Sequence, residues 1–214
     1  MLQRIARALR LSSSETAYLF ALAGKHSPEI RESTPRLDSA IKSVLNAYTG
    51  GPALVMDELF NVHGFNDLAN LIYRFDSHAG SRERNMLWRD FLDPDRKLLY
   101  VSWRENVTLA VGFLRSVYAK RRDDPELEQF ITDLSGASAE FALMWDASRR
   151  QGPASYAPYE LHLNVSGTGI LKFISVRLTT ITYPDWLVLL MPPADAFTAI
   201  AVRRLSATFV RGSE

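Results

Sequence analysis

The hydrophobic period of this chain changes twice, and that constrains its fold more than any single motif does. Ala53 to Met56 and Leu59 to Val62, parted by Asp57 and Glu58, are short strand-like runs. From Asn66 to Ser148 the spacing is helical. After that "YELHLNVSGTGILKFISVRLTTITYPDWLVLLMPP" alternates and is rich in β-branched residues, with Gly167 and Gly169 at one turn and Pro184 and Asp185 at another. Strands on either side of a helical block share a core most simply by closing into one sheet. The pattern predicts an α+β fold: an antiparallel sheet with a cluster of helices on one face, and a short helix from about Ala194.

Within the helical block, Leu68, Leu71 and Ile72 mark one helix over Asn66 to Tyr73. "GSRERNMLWRDFLDP" gives a second, with Met86, Leu87, Phe91 and Leu92 around Trp88. Asp93 and Pro94 suit the start of a long core helix whose face carries Leu99, Trp103, Val107, Ala110, Leu114 and Val117. Asp124 and Pro125 start another, and Gly136 to Ser148 holds a last one. Upstream, Pro35 can open a helix with Leu37, Ile41, Val44, Leu45 and Tyr48 buried. "KHSPEIREST", residues 25–34, has no apolar period and is expected to be a linker. Before it come two short helices, one striped by Leu2, Ile5, Ala6 and Leu9, the next opened by a Ser12–Glu15 capping box.

Composition removes several function classes. A chain of 214 residues, 47% hydrophobic and 23% charged, suits a soluble protein with one good core and a small appendage. Its formal net charge of +1 provides no global basic field for nucleic acid. There is no cysteine, so thiolate chemistry and disulfides are out, which suits a cytoplasmic setting. No apolar run approaches the roughly 18 residues of a membrane span. His26, His63, His78 and His162 lie far apart, without metal-ligand spacing. "SGTGIL" lies between strand-like runs and suits a hairpin better than a phosphate cradle. There is no G-x-S-x-G elbow and no P-loop, and Asp123 and Asp124 sit in a charged loop as caps. Arg4, Arg7 and Arg10 share a helix face that would suit DNA phosphates, but any surface helix shows the same and that reading is preferred.

From about Pro35 to Leu205 the chain resembles the ligand-binding domain of MmyB-like transcription regulators, a PAS-like sensor that follows a Cro/repressor-type (XRE) helix-turn-helix domain in bacteria. The motifs that carry the resemblance are "GGPALVMD", "GFNDLAN", "ERNMLWRDFLDP", "SWRENVTLAVGFLR", "DPELEQFITDLSGASAEFALMWD" and "WLVLLMPP", in that order. "LQRIARALRLSSSETAYLFALAG" resembles the end of the helix-turn-helix domain. The resemblance implies three parts: residues 1–24 as the tail of the DNA-binding domain, 25–34 as linker, and 35–214 as PAS-like ligand-binding domain. Two departures matter. Phe65 stands where the family usually has tryptophan, and Asp146, Ala147 and Ser148 follow Trp145 where a basic residue and histidine are usual.

What the resemblance implies is a non-enzymatic sensor for an apolar small molecule, a fatty acid being the class, with no other cofactor and no membrane partner. DNA would be reached only through a full helix-turn-helix domain, and homodimers are allowed. It places ligand contacts at Met56, Phe60, Phe65, Asn66, Arg84, Asn85, Leu87, Trp88, Phe91, Trp103, Val107 and Trp145. A buried carboxylate needs a cationic or hydrogen-bonding rim, and Arg82, Arg84 and Asn85 could supply it beside the apolar wall of Met86, Leu87 and Phe91. Equally, Arg84 and Asn85 could only tie their helix to neighbouring backbone, and the tryptophans could be plain core. Two other readings stay open: a dimerisation or protein-interaction module without a metabolite, and a small-molecule enzyme.

Overall fold

The computed structural model describes residues 2–23, 39–76, 82–150, 157–180, 183 and 186–211. The chain divides into two compact units, Met1–Asp38 and Ser39–Glu214. In the first, α1 (Leu2–Ala8) and α2 (Ser13–Leu22) pack on each other. The capping box forms as expected: the Glu15 carboxylate accepts from the Ser12 amide and hydroxyl, both at 2.8 Å, and the Glu15 amide donates to Ser12 Oγ at 3.3 Å. The expected linker and the helix start at Pro35 lie outside the described residues.

The second unit is built on a five-stranded antiparallel sheet in the order β2-β1-β5-β4-β3. Its strands are β1 (Ala53–Asp57), β2 (Val62–Phe65), β3 (Tyr159–Val165), β4 (Gly169–Thr179) and β5 (Trp186–Leu190). The two early strands join the three late ones where β1 pairs with β5, Leu54 opposite Leu189 and Met56 opposite Leu187. Alternation sends Leu54, Met56, Leu161, Leu163, Leu171, Phe173, Leu187 and Leu189 into one core. That core is completed by α4 (Asp67–Tyr73), α5 (Met86–Leu92), α6 (Pro94–Leu99), α7 (Trp103–Lys120), α8 (Pro125–Ala137) and α9 (Ala139–Ala147). The arrangement is the expected PAS-like α+β architecture.

Several boundaries differ from the periodicity. The second strand lies at 62–65 because Asp57 folds the chain back first: its Oδ1 accepts from the Leu59 and Asn61 amides at 2.9 Å each, and Phe60 is forced to φ 67°. The long helix expected from Pro94 breaks at Tyr100. There the backbone leaves the helix to pair with β3, Tyr100 bridging Leu163 and the Val101 amide donating to His162 O at 3.1 Å. Ser138 splits α8 from α9 and caps the latter through Phe141 N. In α3 (Ser39–Ala47) only Leu45 is fully buried, and Val44, expected inside, is exposed. The closing helix, α10 (Ala196–Arg211), is 16 residues long instead of short, and packs on α4 and β4.

Candidate functional site

The α5 sequence puts a charge on its buried face. Met86 and Asp90, like Leu87 and Phe91, are four residues apart, so the carboxylate of Asp90 points where the apolar stripe points. Arg96 and Tyr100 are four apart across the end of α6 and meet it there. Arg96 donates to Asp90 Oδ1 from Nη2 at 2.6 Å and from Nε at 3.0 Å, and also from Nη2 to Tyr100 Oη at 3.0 Å. Tyr100 donates to Asp90 Oδ1 at 3.2 Å. The guanidinium lies between the rings of Tyr73 and Tyr100, 4.6 and 5.4 Å from their centroids. All four residues are buried.

Burial dominates the electrostatics. It pushes the Asp90 carboxyl above the usual carboxylate range, with the adjoining Arg96 charge pulling the other way. It raises the Tyr73 and Tyr100 hydroxyls, so both stay protonated donors. Burial also opposes the charge on Arg96, but Asp90 outweighs it and holds the guanidinium more firmly protonated than usual. The result is a neutral-overall ion pair inside an apolar shell.

This cluster borders two spaces. One is a cavity of about 50 Å³ between sheet and helices. Met56, Leu161 and Leu189 face it from the sheet, Phe60, Met86 and Ala110 from the other side, and Tyr73, Asp90, Tyr100, Asn106, Tyr159, Ser175 and Arg177 make its polar lining. The other is an open groove of about 800 Å³ walled by α4, α6, the β3–β4 turn and Leu205 of α10. Arg96 and Tyr73 line the groove, and Tyr73 lines both.

A family model described as the MmyB-like transcription regulator ligand binding domain matches residues 37–205, most of the chain. The chain belongs to this family. No curated protein matches it.

Within this MmyB-like domain the residues singled out from sequence separate into three groups. Met56 and Phe60 line the interior cavity. Asn66 and Asn85 are helix N-caps whose amides are engaged by their surroundings. Asn66 Oδ1 accepts from the Ala53 and Ala69 amides at 3.0 Å, and Nδ2 donates to Tyr48 O and Gly51 O at 2.9 Å. Asn85 accepts from Trp88 N at 2.9 Å and donates to Leu59 O at 2.7 Å and Asn61 Oδ1 at 2.9 Å. The remaining group packs, apart from Arg84. Phe91 sits edge-on to Trp103 and to Phe141, Phe141 stacks on Trp145, and Leu87 and Val107 are fully buried. Trp103 also donates to Asp90 O at 2.7 Å. Phe65 stacks on Phe75, Arg82 lies over Trp88, and Arg84 is exposed.

Asp90, Arg96, Tyr100 and Arg177 were not among the residues picked from sequence. A carboxylate inside the stripe Met86, Leu87, Asp90, Phe91 was a legible signal for the first. Arg177 carried none, because β4 register alone turns it toward Tyr159 and Phe113, whose ring centroids lie 5.5 and 5.7 Å from its guanidinium carbon. Among the described residues no group of three His, Asp or Glu could hold a metal ion, and no helix is long and apolar enough to cross a membrane.

Proposed function

We propose that this domain is the sensor of a helix-turn-helix transcription regulator, and that a fatty acid occupies the space between its sheet and helices. The observation that carries the reading is the interior cavity, with an apolar wall of Met56, Phe60, Met86, Ala110, Leu161 and Leu189 and bordered by a half-buried arginine, Arg177, that has no ion pair among the described residues. An acyl chain beside Met56, Phe60 and Leu189 would be removed from water at about 25 cal/mol per Å². Arg177 would pair with the carboxylate, which cannot be buried alone.

At about 50 Å³ the cavity is well below the roughly 300 Å³ at which small-molecule pockets begin. Occupation therefore requires the lining to move, and Met56 and Met86 are unbranched thioethers suited to it. That requirement fits a sensor: a ligand held only by the expanded packing shifts the domain toward it, and the residues that join it to the DNA-binding part pass the bias on. The same closed core favours a second reading, a dimerisation or interaction module that takes no metabolite.

Native mass spectrometry with lipid extraction separates the two. A fatty acid near one per chain supports the sensor. A ligand-free protein whose melting is unmoved by a fatty-acid panel supports the interaction module. In the first case Arg177→Gln should weaken palmitate about tenfold and leave hexadecanol unchanged, since only the acid needs a cation. Equal effects on both would remove Arg177 from the site.

A further inference from the structure

The core face of β3 and β4 is apolar except at one end. Alternation sends Leu171 and Phe173 of β4, with Leu161 and Leu163 of β3, into the core. The next positions on that face are Ser175 and Arg177, with Tyr159 directly opposite Ser175. Ser175 is 2% exposed, yet its hydroxyl makes no hydrogen bond to any described residue. A hydroxyl shut in a core usually has a partner, because leaving water without one costs free energy. Register aims this one: Oγ is a single bond from Cβ, on the face where Ser175 lines the interior cavity. Among the described residues Arg96 Nη1 is the one wholly enclosed side-chain polar atom without a partner, so the unpartnered Ser175 Oγ keeps surface open to that cavity.

Tyr159 repeats the pattern across the strand pair. Residues opposite one another in an antiparallel ladder carry their side chains on one face, about 5 Å apart at Cβ, so its phenol and the Ser175 hydroxyl share the cavity wall. The Tyr159 hydroxyl also makes no hydrogen bond to a described residue. It reaches inward, near enough to the buried phenols of Tyr73 and Tyr100 to oppose the ionisation of both. Those two are engaged, Tyr73 donating to Met191 Sδ at 3.3 Å and Tyr100 to Asp90 Oδ1 at 3.2 Å. Arg177 follows Ser175 on the same face and is only half-buried, its guanidinium carbon 5.5 Å from the Tyr159 ring centroid. One wall of the cavity therefore holds a cation at its outer end and two free hydroxyls further in.

We propose that Ser175 and Tyr159 read an oxygen on the acyl chain close to its acid group, so that the cavity selects a fatty acid hydroxylated or oxidised to a ketone near the carboxylate over the plain acid. The inference rests on the seat proposed above for the carboxylate at Arg177. Two hydroxyls suit a neutral oxygen: each can donate or accept, and each turns its proton to suit. A methylene at that point leaves both hydroxyls unpaired, whereas an oxygen pairs them. Ser175 and Arg177 are about 7 Å apart along the strand, but the guanidinium leans back over Tyr159, which stands opposite Ser175. Acid and oxygen are thus only a few carbons apart.

The test is calorimetric titration of the whole chain with laurate, its α-hydroxy and β-hydroxy derivatives and its ω-hydroxy derivative. The α- or the β-hydroxy acid is expected to bind about tenfold tighter than laurate, and the ω-hydroxy acid no tighter. Ser175→Ala and Tyr159→Phe each remove one oxygen atom and strand no charge, so both variants should fold. Each should erase most of the gain and leave laurate affinity unchanged. Ser175→Ala should also leave the urea midpoint of the ligand-free protein unchanged or raise it, since the hydroxyl it removes has no partner; a lower midpoint would show that hydroxyl already satisfied and count against the proposal. Equal binding of laurate and every derivative, or a gain that survives both variants, would overturn the proposal and leave the plain fatty-acid reading standing. Failure of all four acids to bind would remove that reading, and this one with it.

Discussion

Arg96 and Asp90 form the most consequential pair of side chains in the molecule, because neither can be lost alone. Both are almost fully buried and joined by two hydrogen bonds to the same oxygen. Arg96→Met leaves the Asp90 carboxylate buried without its cation, and we expect it to cost about 3–5 kcal/mol, measured as a lower urea midpoint. Replacing both, Asp90→Leu with Arg96→Met, should recover most of that loss, and simple additivity of the single variants would show the pair to be uncoupled. Asn66 and Asn85 teach the complementary lesson. Their position before apolar periodic runs was visible in sequence, and it suits both a ligand contact and a cap. The structure shows the Asn66 amide satisfied by backbone and the Asn85 amide by backbone and Asn61 Oδ1, with Tyr48 O and Gly51 O brought to Asn66 from 18 and 15 residues away. Such long-range partners have no local signature.

Elements ended where tertiary pairing required it. Nothing in the spacing of Leu99, Trp103 and Val107 interrupts a helix, but β3 is an edge strand and Tyr100 and Val101 supply partners for it. Ser138, by contrast, is a residue type that caps helices, so that break was locally legible. Gly51 marks the join of β1 to the end of β5. A Cβ there would lie 2.0 Å from Met191 O, a backbone atom that is itself fixed by the sheet. Gly51→Ala should therefore destabilise by more than about 2 kcal/mol, well beyond the usual mutational loss, with the same urea measurement as readout. Asp124 caps α8 by accepting from the Glu126 and Leu127 amides, and it also pairs with Arg121. Partial burial works against its charge, but the Arg121 hydrogen bonds and charge prevail and hold the carboxyl below the usual range. With the folded value depressed, its stabilisation is complete above about pH 3.9 and is lost as pH falls through the folded value. Asp124→Asn keeps the cap and loses the charge. Its stability deficit should be present at pH 7 and shrink on acidification below about pH 4, followed by urea midpoints across that range.

At the scale of the whole molecule, the match over residues 37–205 and the compact unit Ser39–Glu214 nearly coincide. A chain starting at residue 37 is expected to fold alone, with the urea midpoint of the full chain within experimental scatter, and a large drop would show that the first unit contributes to the second. Period alone announced the α+β class and the apolar wall of the α5 stripe, because burial repeats every two residues in a strand and every 3.6 in a helix, whereas Met56 and Phe60 were placed only by the family resemblance. What period cannot carry is which strands become neighbours, since that depends on contacts between residues more than 100 positions apart, such as Leu54 and Leu189. The order β2-β1-β5-β4-β3, the turn of Arg177 toward the cavity and the meeting of Arg96 with Asp90 beneath a groove all follow from that packing. Local spacing decided which faces are apolar, and only the closing of the sheet decided which polar groups those faces enclose.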